Sequence, residues 1–284
     1  SAAEHSAVLK TAESLVRSEG IVLDLVHHLP DGAVDMEHLA ALLSKGPKTL
    51  VSLMHANNEV AVIQDLDRIG TLCKEHGALF HSDTVQTMGH YALDLSKLPI
   101  DFITCSAHKF HGPKGIGFLY IAEGLQMGGQ IEGGSQERAV RGGTENIHSI
   151  VGLARALDLA YDDLQSHEMH IRSLKAQMVK GLKSMFSDLR FNGLSDEPSR
   201  LYTVLNVSFP PHPKNGMALF LLDLEGIACS SGSACSSGAT IGSHVLRALD
   251  LHDQDRASLR FSFGRYNTEE EIKQALNAIK TVFS

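Results

Sequence analysis

The chain has 284 residues, 43% hydrophobic and 20% charged, which is enough apolar content for a packed core and excludes wholesale disorder. Lys and Arg number 25 against 33 Asp and Glu, a formal charge of −8 that argues against a general nucleic-acid binder. Four cysteines (Cys73, Cys105, Cys229, Cys235) are too few for a disulfide framework, and no apolar run approaches the length of a bilayer span. The opening Ser1-Ala2-Ala3-Glu4-His5 has neither the basic start nor the apolar core of a signal peptide. Sparse cysteine usage predicts a reducing compartment.

In chain order, Ala7, Leu9, Ala12, Leu15 and Val16 recur at roughly helical spacing. Residues 21–26 read as a strand. Met36, Leu39, Leu42 and Leu43 mark a second helix with Asp35 near its start. Residues 49–54 read as a buried strand, 63–76 as a helix stopped by Gly77, and 78–81 as another buried strand. Strands over 102–105 and 116–121 complete the series. Strands alternating with helices predict an α/β fold with a mostly parallel sheet covered on both faces. Residues 124–143 carry seven of the 25 glycines and read as a long functional loop. Residues 146–189 read as helix. The last 85 or so residues read as a small α+β unit: strand 203–209, helix 217–225, short strand 227–230, helix 245–249, strand 258–263 and helix 268–283. The predicted division is a large domain over 1–150 and, over 151–284, a bridging helix with a smaller C-terminal domain.

Two segments carry the chemistry. In Thr104-Cys105-Ser106-Ala107-His108-Lys109-Phe110-His111-Gly112-Pro113-Lys114-Gly115 a buried strand runs into a polar cluster and a lysine. A lysine at a buried strand end is poorly hydrated, which lowers its pKa toward the nucleophilic amine and suits Schiff-base chemistry. The alternative is an exposed loop lysine. Lys114, in a turn between Pro113 and Gly115, is the weaker candidate. In His81-Ser82-Asp83-Thr84-Val85-Gln86, Asp83 also follows a buried strand. In a parallel sheet, strand C-terminal ends face a shared crevice, where a carboxylate can pair with a pyridinium nitrogen. The alternative for Asp83 is a helix N-cap.

Together these segments resemble the fold type I pyridoxal-phosphate enzymes of the class-V aminotransferase family, and specifically the cysteine desulfurases. The likeness extends along the chain in the family's order. Glu4-His5-Ser6-Ala7-Val8-Leu9 is similar to the histidine segment and His55-Ala56-Asn57-Asn58-Glu59 to the Asn-Asn-Glu motif. Gly133-Gly134-Ser135-Gln136-Glu137-Arg138 and Arg141-Gly142-Gly143-Thr144 resemble the glycine-rich and Arg-x-Gly-Thr segments. Ser230-Ser231-Gly232-Ser233-Ala234-Cys235-Ser236 resembles the catalytic cysteine loop, and Arg260-Phe261-Ser262-Phe263-Gly264-Arg265 the arginine-bearing strand.

The resemblance implies pyridoxal 5'-phosphate as cofactor, with Lys109 as its Schiff-base lysine and Asp83 at the pyridine nitrogen. It implies that His5 stacks on the ring and that Gln86 and Asn58 bond the ring hydroxyl or the substrate side. Ser106 and His108 bind the phosphate, and Thr144 reaches the phosphate of a neighbouring subunit in a homodimer. Arg260 grips the substrate carboxylate, which a guanidinium does bidentately. L-Cysteine displaces Lys109, the freed amine removes the α-proton, and the Cys235 thiolate attacks the substrate sulfur. Alanine leaves, and a persulfide remains on Cys235 for a sulfur-acceptor or iron–sulfur scaffold protein. Together with the sparse cysteine usage, the resemblance implies a cytoplasmic location. No metal site is expected, since no Cys-x-x-Cys or His-x-x-x-His pair is present. Cys73, Cys105 and Cys229 read as packing residues. The glycine pairs lack the Gly-Lys-Ser/Thr or Gly-x-Gly-x-x-Gly of a nucleotide loop.

The family carries a further N-terminal stretch before the histidine segment, roughly a quarter of the full chain. Its absence from this sequence reads as a fragment or a shortened form and predicts weaker cofactor binding than in a full-length relative. The same machinery serves selenocysteine lyases. A truncated, non-catalytic protein that binds sulfur-acceptor partners is the alternative from another class. An aminotransferase has no use for the cysteine loop.

Overall fold

The computed structural model describes residues 1–46, 48–231 and 242–284. Cys235 lies outside the described residues. The chain divides into two compact units: a first of Ser1–Lys45, Ala56–Gln64 and Gln165–Ser284, and a second of Gly46–His55 and Asp65–Leu164. This division differs from a boundary at 150, because residues 1–45 and 56–64 group with the C-terminal segment.

The second unit is built on a four-stranded sheet in the order β1-β2-β3-β4. Strands β1 (Leu50–Ser52), β2 (Leu79–Asp83) and β3 (Phe102–Ser106) are parallel, and β4 (Gly117–Ile121) returns antiparallel to β3. Their short apolar runs are the sequence signal, and Val51, Phe80, Ile103 and Cys105 fill one buried face. On the opposite face Leu50, Leu79 and Leu119 are exposed. Helix α3 (Leu66–Glu75) starts where the Asp65 carboxylate accepts the Arg68 N–H, and its buried stripe is Leu66, Ile69, Gly70 and Cys73. Helix α4 (Ile147–Asp162) follows the long loop, which holds a short 3-10 segment over Gln136–Ala139 and an isolated bridge between Ile131 and Arg141.

In the first unit, α1 (Ser6–Glu19) is capped by His5 at its start and ended by Gly20 at φ 67°. Helix α2 (Met36–Leu43) is capped by Asp35, as the sequence suggests. Residues 21–26 are not a strand: Ile21, Val22, Leu23 and Leu25 are exposed and no strand pairs with them among the described residues. Helix α5 (Leu164–Met185) is separated from α4 by Asp163, so the predicted 146–189 helix is two helices. The second sheet is antiparallel, β5 (Arg190–Phe191), β6 (Val204–Ser208), β7 (Ser258–Ser262), with β6 central and buried throughout. Helices α6 (Ala218–Leu224), α7 (His244–Ala248) and α8 (Glu269–Val282) complete the unit. A capping box of Thr268 and Glu271 starts α8. Residues 227–229 form no strand; Ser230 alone bridges to Arg260.

The packing of α3 gives a sharp test. Gly to Ala in a helix ordinarily stabilises by about 1 kcal/mol. At Gly70 an added Cβ collides with the carbonyl oxygen and ring of Pro99. We expect Gly70→Ala to destabilise the protein by about 2 kcal/mol in denaturant unfolding. An equal or higher unfolding midpoint contradicts this packing.

Candidate active site

The C-terminal ends of β1, β2 and β3 lie side by side in the second unit. Parallel pairing continues past the regular strands, with Leu53 N–H donating to His81 O and His55 N–H donating to Asp83 O. On the other side Asp83 stands opposite Thr104 of β3. This register brings the ends of three parallel strands to one edge of the sheet, the place where such sheets bind ligands.

Asp83 is the last residue of β2 and is buried. Its carboxylate accepts the Val85 N–H at 2.9 Å, so it shapes an Asx turn and does not cap a helix. Gln86 follows in the turn, half-buried. His81, two residues earlier, bonds Ser52 Oγ through Nδ1 at 2.8 Å and lies against Thr104 Oγ1 at 3.4 Å. Burial holds the His81 pKa below its usual value, while the nearby Asp83 charge acts in the opposite direction.

Ser106 ends β3, and the chain passes into a 3-10 turn over Ala107–Phe110. In a 3-10 turn, residues three apart share a side. Ala107 and Phe110 are therefore both buried, and His108 and Lys109 face out. This corrects the expectation of a desolvated Lys109: the lysine is exposed, as is Lys114. Lys109 is fixed through its backbone, where His90 Nε2–H donates to its carbonyl at 3.2 Å. Gly89, at φ 75°, sits so close to Phe110 that a Cβ there would clash with it. Desolvation, then the charges of Lys109 and Lys114, push the His108 pKa down. His108 thus lies near both lysines, on an exposed turn. Thr144 is exposed in the segment before α4.

The first unit holds the remaining predicted residues. Arg260 lies on β7 opposite Asn206, and its guanidinium donates to the Asn58 carbonyl at 2.8 Å. Asn58 and Arg260, far apart in sequence, are therefore brought together. His5 is half-buried, and its Nδ1 accepts the Ala7 N–H at 3.2 Å. That role requires a bare Nδ1 and leaves Nε2–H for other contacts.

The three described cysteines behave as packing residues. Cys73 and Cys105 are buried and Cys229 is half-buried. Burial pushes each thiol up to about 11, which leaves little nucleophilic thiolate near neutral pH.

His55 is a residue whose role the sequence did not reveal, although it opens the Asn-Asn-Glu motif. Its Nδ1 lies 2.9 Å from Thr87 Oγ1. Thr87 donates its own proton to Thr84 O at 3.2 Å, so His55 carries its proton on Nδ1. The signal available was a histidine directly after an apolar strand.

These features fit what the comparisons find. The sequence pattern of the aminotransferase class-V family matches residues 1–275. The chain is 39% identical over 280 residues to the cysteine desulfurase IscS of Edwardsiella ictaluri, covering 98% of this chain and 67% of the relative. It is 41% identical to that of Vibrio vulnificus, with the same coverage. Among solved structures, a NifS-like protein from Rickettsia africae superposes with a TM-score of 0.88 at 30% identity, covering 99% of this chain and 74% of the other. A second NifS-like protein gives a TM-score of 0.88 at 35% identity, covering 99% and 73%. The chain belongs to the class-V aminotransferase family and, within it, to the cysteine desulfurases, a family that depends on pyridoxal phosphate. It spans about two thirds of the length of these curated relatives. No helix among the described residues is long and apolar enough to cross a membrane.

Burial of His55 sets a pH dependence. Its pKa is pushed from 6.5 down to about 4 by desolvation. Below pH 6.5 the unfolded chain binds a proton that the folded one refuses, so this stability is complete above 6.5 and lost as the pH falls toward 4. Between about pH 7 and about pH 5 the loss is about 2 kcal/mol. Unfolding of His55→Gln should show a correspondingly smaller loss over the same interval. Identical pH slopes for the two proteins would contradict a neutral, buried His55.

Proposed function

We propose that this chain desulfurates L-cysteine to L-alanine with pyridoxal 5'-phosphate, leaving the sulfur as a persulfide on Cys235. The observation that carries the reading is the register of β2 and β3. It puts a buried carboxylate, Asp83, at the same sheet edge as the turn that bears Lys109. That edge fits the cofactor chemically. A buried carboxylate suits a ring N–H, a lysine suits a carbonyl carbon, and the Ser106 hydroxyl and His108 imidazole suit a phosphate.

When bound, the cofactor supplies an electron sink for the substrate α-carbon. Asp83 holds the ring nitrogen protonated. Ser106 and His108 bind the phosphate, Gln86 and Asn58 bond the ring hydroxyl or the substrate side, and His5 lies against the ring. Lys109 would hold the cofactor through its amine, and the same amine would take the substrate α-proton. Arg260 pairs with the substrate carboxylate. The Cys235 thiolate attacks the substrate sulfur, and the carbon–sulfur bond breaks with its electron pair left on carbon. Protonation of that carbon, together with return of a proton to the α-carbon, completes alanine, and Cys235 keeps the substrate sulfur as the outer sulfur of a persulfide. The high pKa values of Cys73, Cys105 and Cys229 support Cys235 as the nucleophile. A sulfur-acceptor or iron–sulfur scaffold protein then takes the sulfur. Thr144 reaches the phosphate of a second subunit in a homodimer.

Alanine release from L-cysteine, with added pyridoxal phosphate and a reductant, tests the reading. We expect turnover by the parent and a loss on the order of a hundredfold or more in Cys235→Ala. Arg260→Gln should raise KM on the order of tenfold through the lost carboxylate pair. Undiminished alanine from Cys235→Ala would overturn the assignment of the nucleophile.

A further inference from the structure

Glu59 is the most anomalous side chain in the first unit. It is an acid with no exposed surface. A carboxyl group removed from water is costly unless hydrogen bonds compensate it. Its Oε2 accepts the hydroxyl proton of Ser243, and its Oε1 has no hydrogen-bond partner among the described residues. Its backbone is fixed as firmly. The Glu59 N–H donates to Asn57 Oδ1 at 2.8 Å, and its carbonyl accepts Asn206 Nδ2–H at 2.9 Å.

The place of Ser243 gives this contact meaning. Ser243 is the N-cap of α7, where its Oγ accepts the Leu246 N–H at 3.1 Å. It stands eight residues after Cys235 in sequence. The neighbouring His244 Nε2–H donates to Glu4 O at 2.9 Å. Val245 and Leu246 share an apolar cluster with Ala3, Val60 and Val62, the residues that flank Glu59 and precede His5. On the other side of Cys235, Ser230 exchanges two backbone hydrogen bonds with Arg260, at 3.1 and 2.6 Å. Arg260 in turn donates to the Asn58 carbonyl. Both described ends of the cysteine-bearing segment are therefore tied to Asn58 and Glu59, one through Arg260 and one through Ser243.

We propose that Glu59 is a positioning residue for sulfur transfer. It takes no direct part in the chemistry; it fixes the start of α7 by accepting the Ser243 hydroxyl. This assignment rests on the cysteine desulfurase reading and adds to it a residue with no direct chemical part. It separates two effects. Arg260 stays held by Asn58 and by β7, so carboxylate binding survives the loss of Glu59. Delivery of the thiolate does not.

The test uses Glu59→Ala, which removes the acceptor, Glu59→Gln, which keeps one, and Ser243→Ala, which removes the donor. Two readouts are needed: backbone hydrogen exchange over residues 242–246, which requires no cofactor, and steady-state alanine formation. We expect Glu59→Ala and Ser243→Ala to speed exchange over 242–246 by about tenfold, with the strands of the second unit unchanged. Both should lower kcat by about tenfold with KM within about twofold of the parent, and Glu59→Gln should restore both readouts. Unchanged exchange in the Glu59→Ala and Ser243→Ala variants, or equal damage from Gln and Ala at position 59, would overturn the proposal. If Glu59→Ala does not fold, Glu59→Met, which also removes the acceptor but fills the space and leaves the Ser243 cap of α7 in place, decides alone. Failure of the underlying reading shows separately, as alanine release that persists in Cys235→Ala, and the exchange measurement still judges the role of Glu59.

Discussion

Parallel pairing of β2 with β3, which sets Asp83 opposite Thr104, is the constraint on which the chemistry of the second unit depends. A parallel sheet delivers the C-terminal ends of its strands to one edge, and the polar residues that follow each strand meet there. Asp83, the Ser106–Lys109 turn and His55 reach that edge from three different strands. A one-residue slip between β2 and β3 would turn Asp83 to the opposite face of the sheet. The buried apolar face, with Phe80 and Ile103 wholly enclosed, prevents that slip, because it too would be inverted. The same packing that stabilises the sheet thus fixes the position of the carboxylate.

The first unit solves a different problem, holding residues that are distant in sequence. Asn58, Glu59, Asn206, Ser230, Ser243 and Arg260 form one network of backbone and side-chain hydrogen bonds. Its members come from a short inserted segment, from two strands and from both sides of the cysteine-bearing stretch. Buried polar groups linked in this way are costly to rearrange, since each broken bond strands another group away from water. On the proposed reading, Asp83 and Lys109 belong to the second unit, and Arg260 and Glu59 to the first.

Much of this was legible in the residues. The strands β2 and β3 are short apolar runs that end in polar clusters, and the caps of α2 and α3 are Asp residues just ahead of an amphipathic stripe. The positions of Asp83, Lys109 and Arg260 at strand ends or on a strand followed from the same runs and from the family motifs. Other features were not legible, for physical reasons. Residues 21–26 have strand composition, but a strand needs a neighbour, and composition does not supply one. The break at Asp163 has no Gly or Pro to announce it. Lys109 was expected to be desolvated, and the geometry of a four-residue 3-10 turn exposes it instead. Glu59 looks like a surface acid in any sequence window; only the tertiary fold encloses it and provides Ser243.

The central claim is that the turn after β3 presents the cofactor-bearing lysine. Exposure does not separate Lys109 from Lys114, so a covalent readout is required. Borohydride reduction of the protein mixed with pyridoxal phosphate fixes the cofactor to the lysine that holds it, and peptide mass mapping then locates it. The account predicts a single adduct, on Lys109, lost in Lys109→Ala. An adduct on Lys114, or labelling spread over surface lysines and unchanged in Lys109→Ala, would contradict it.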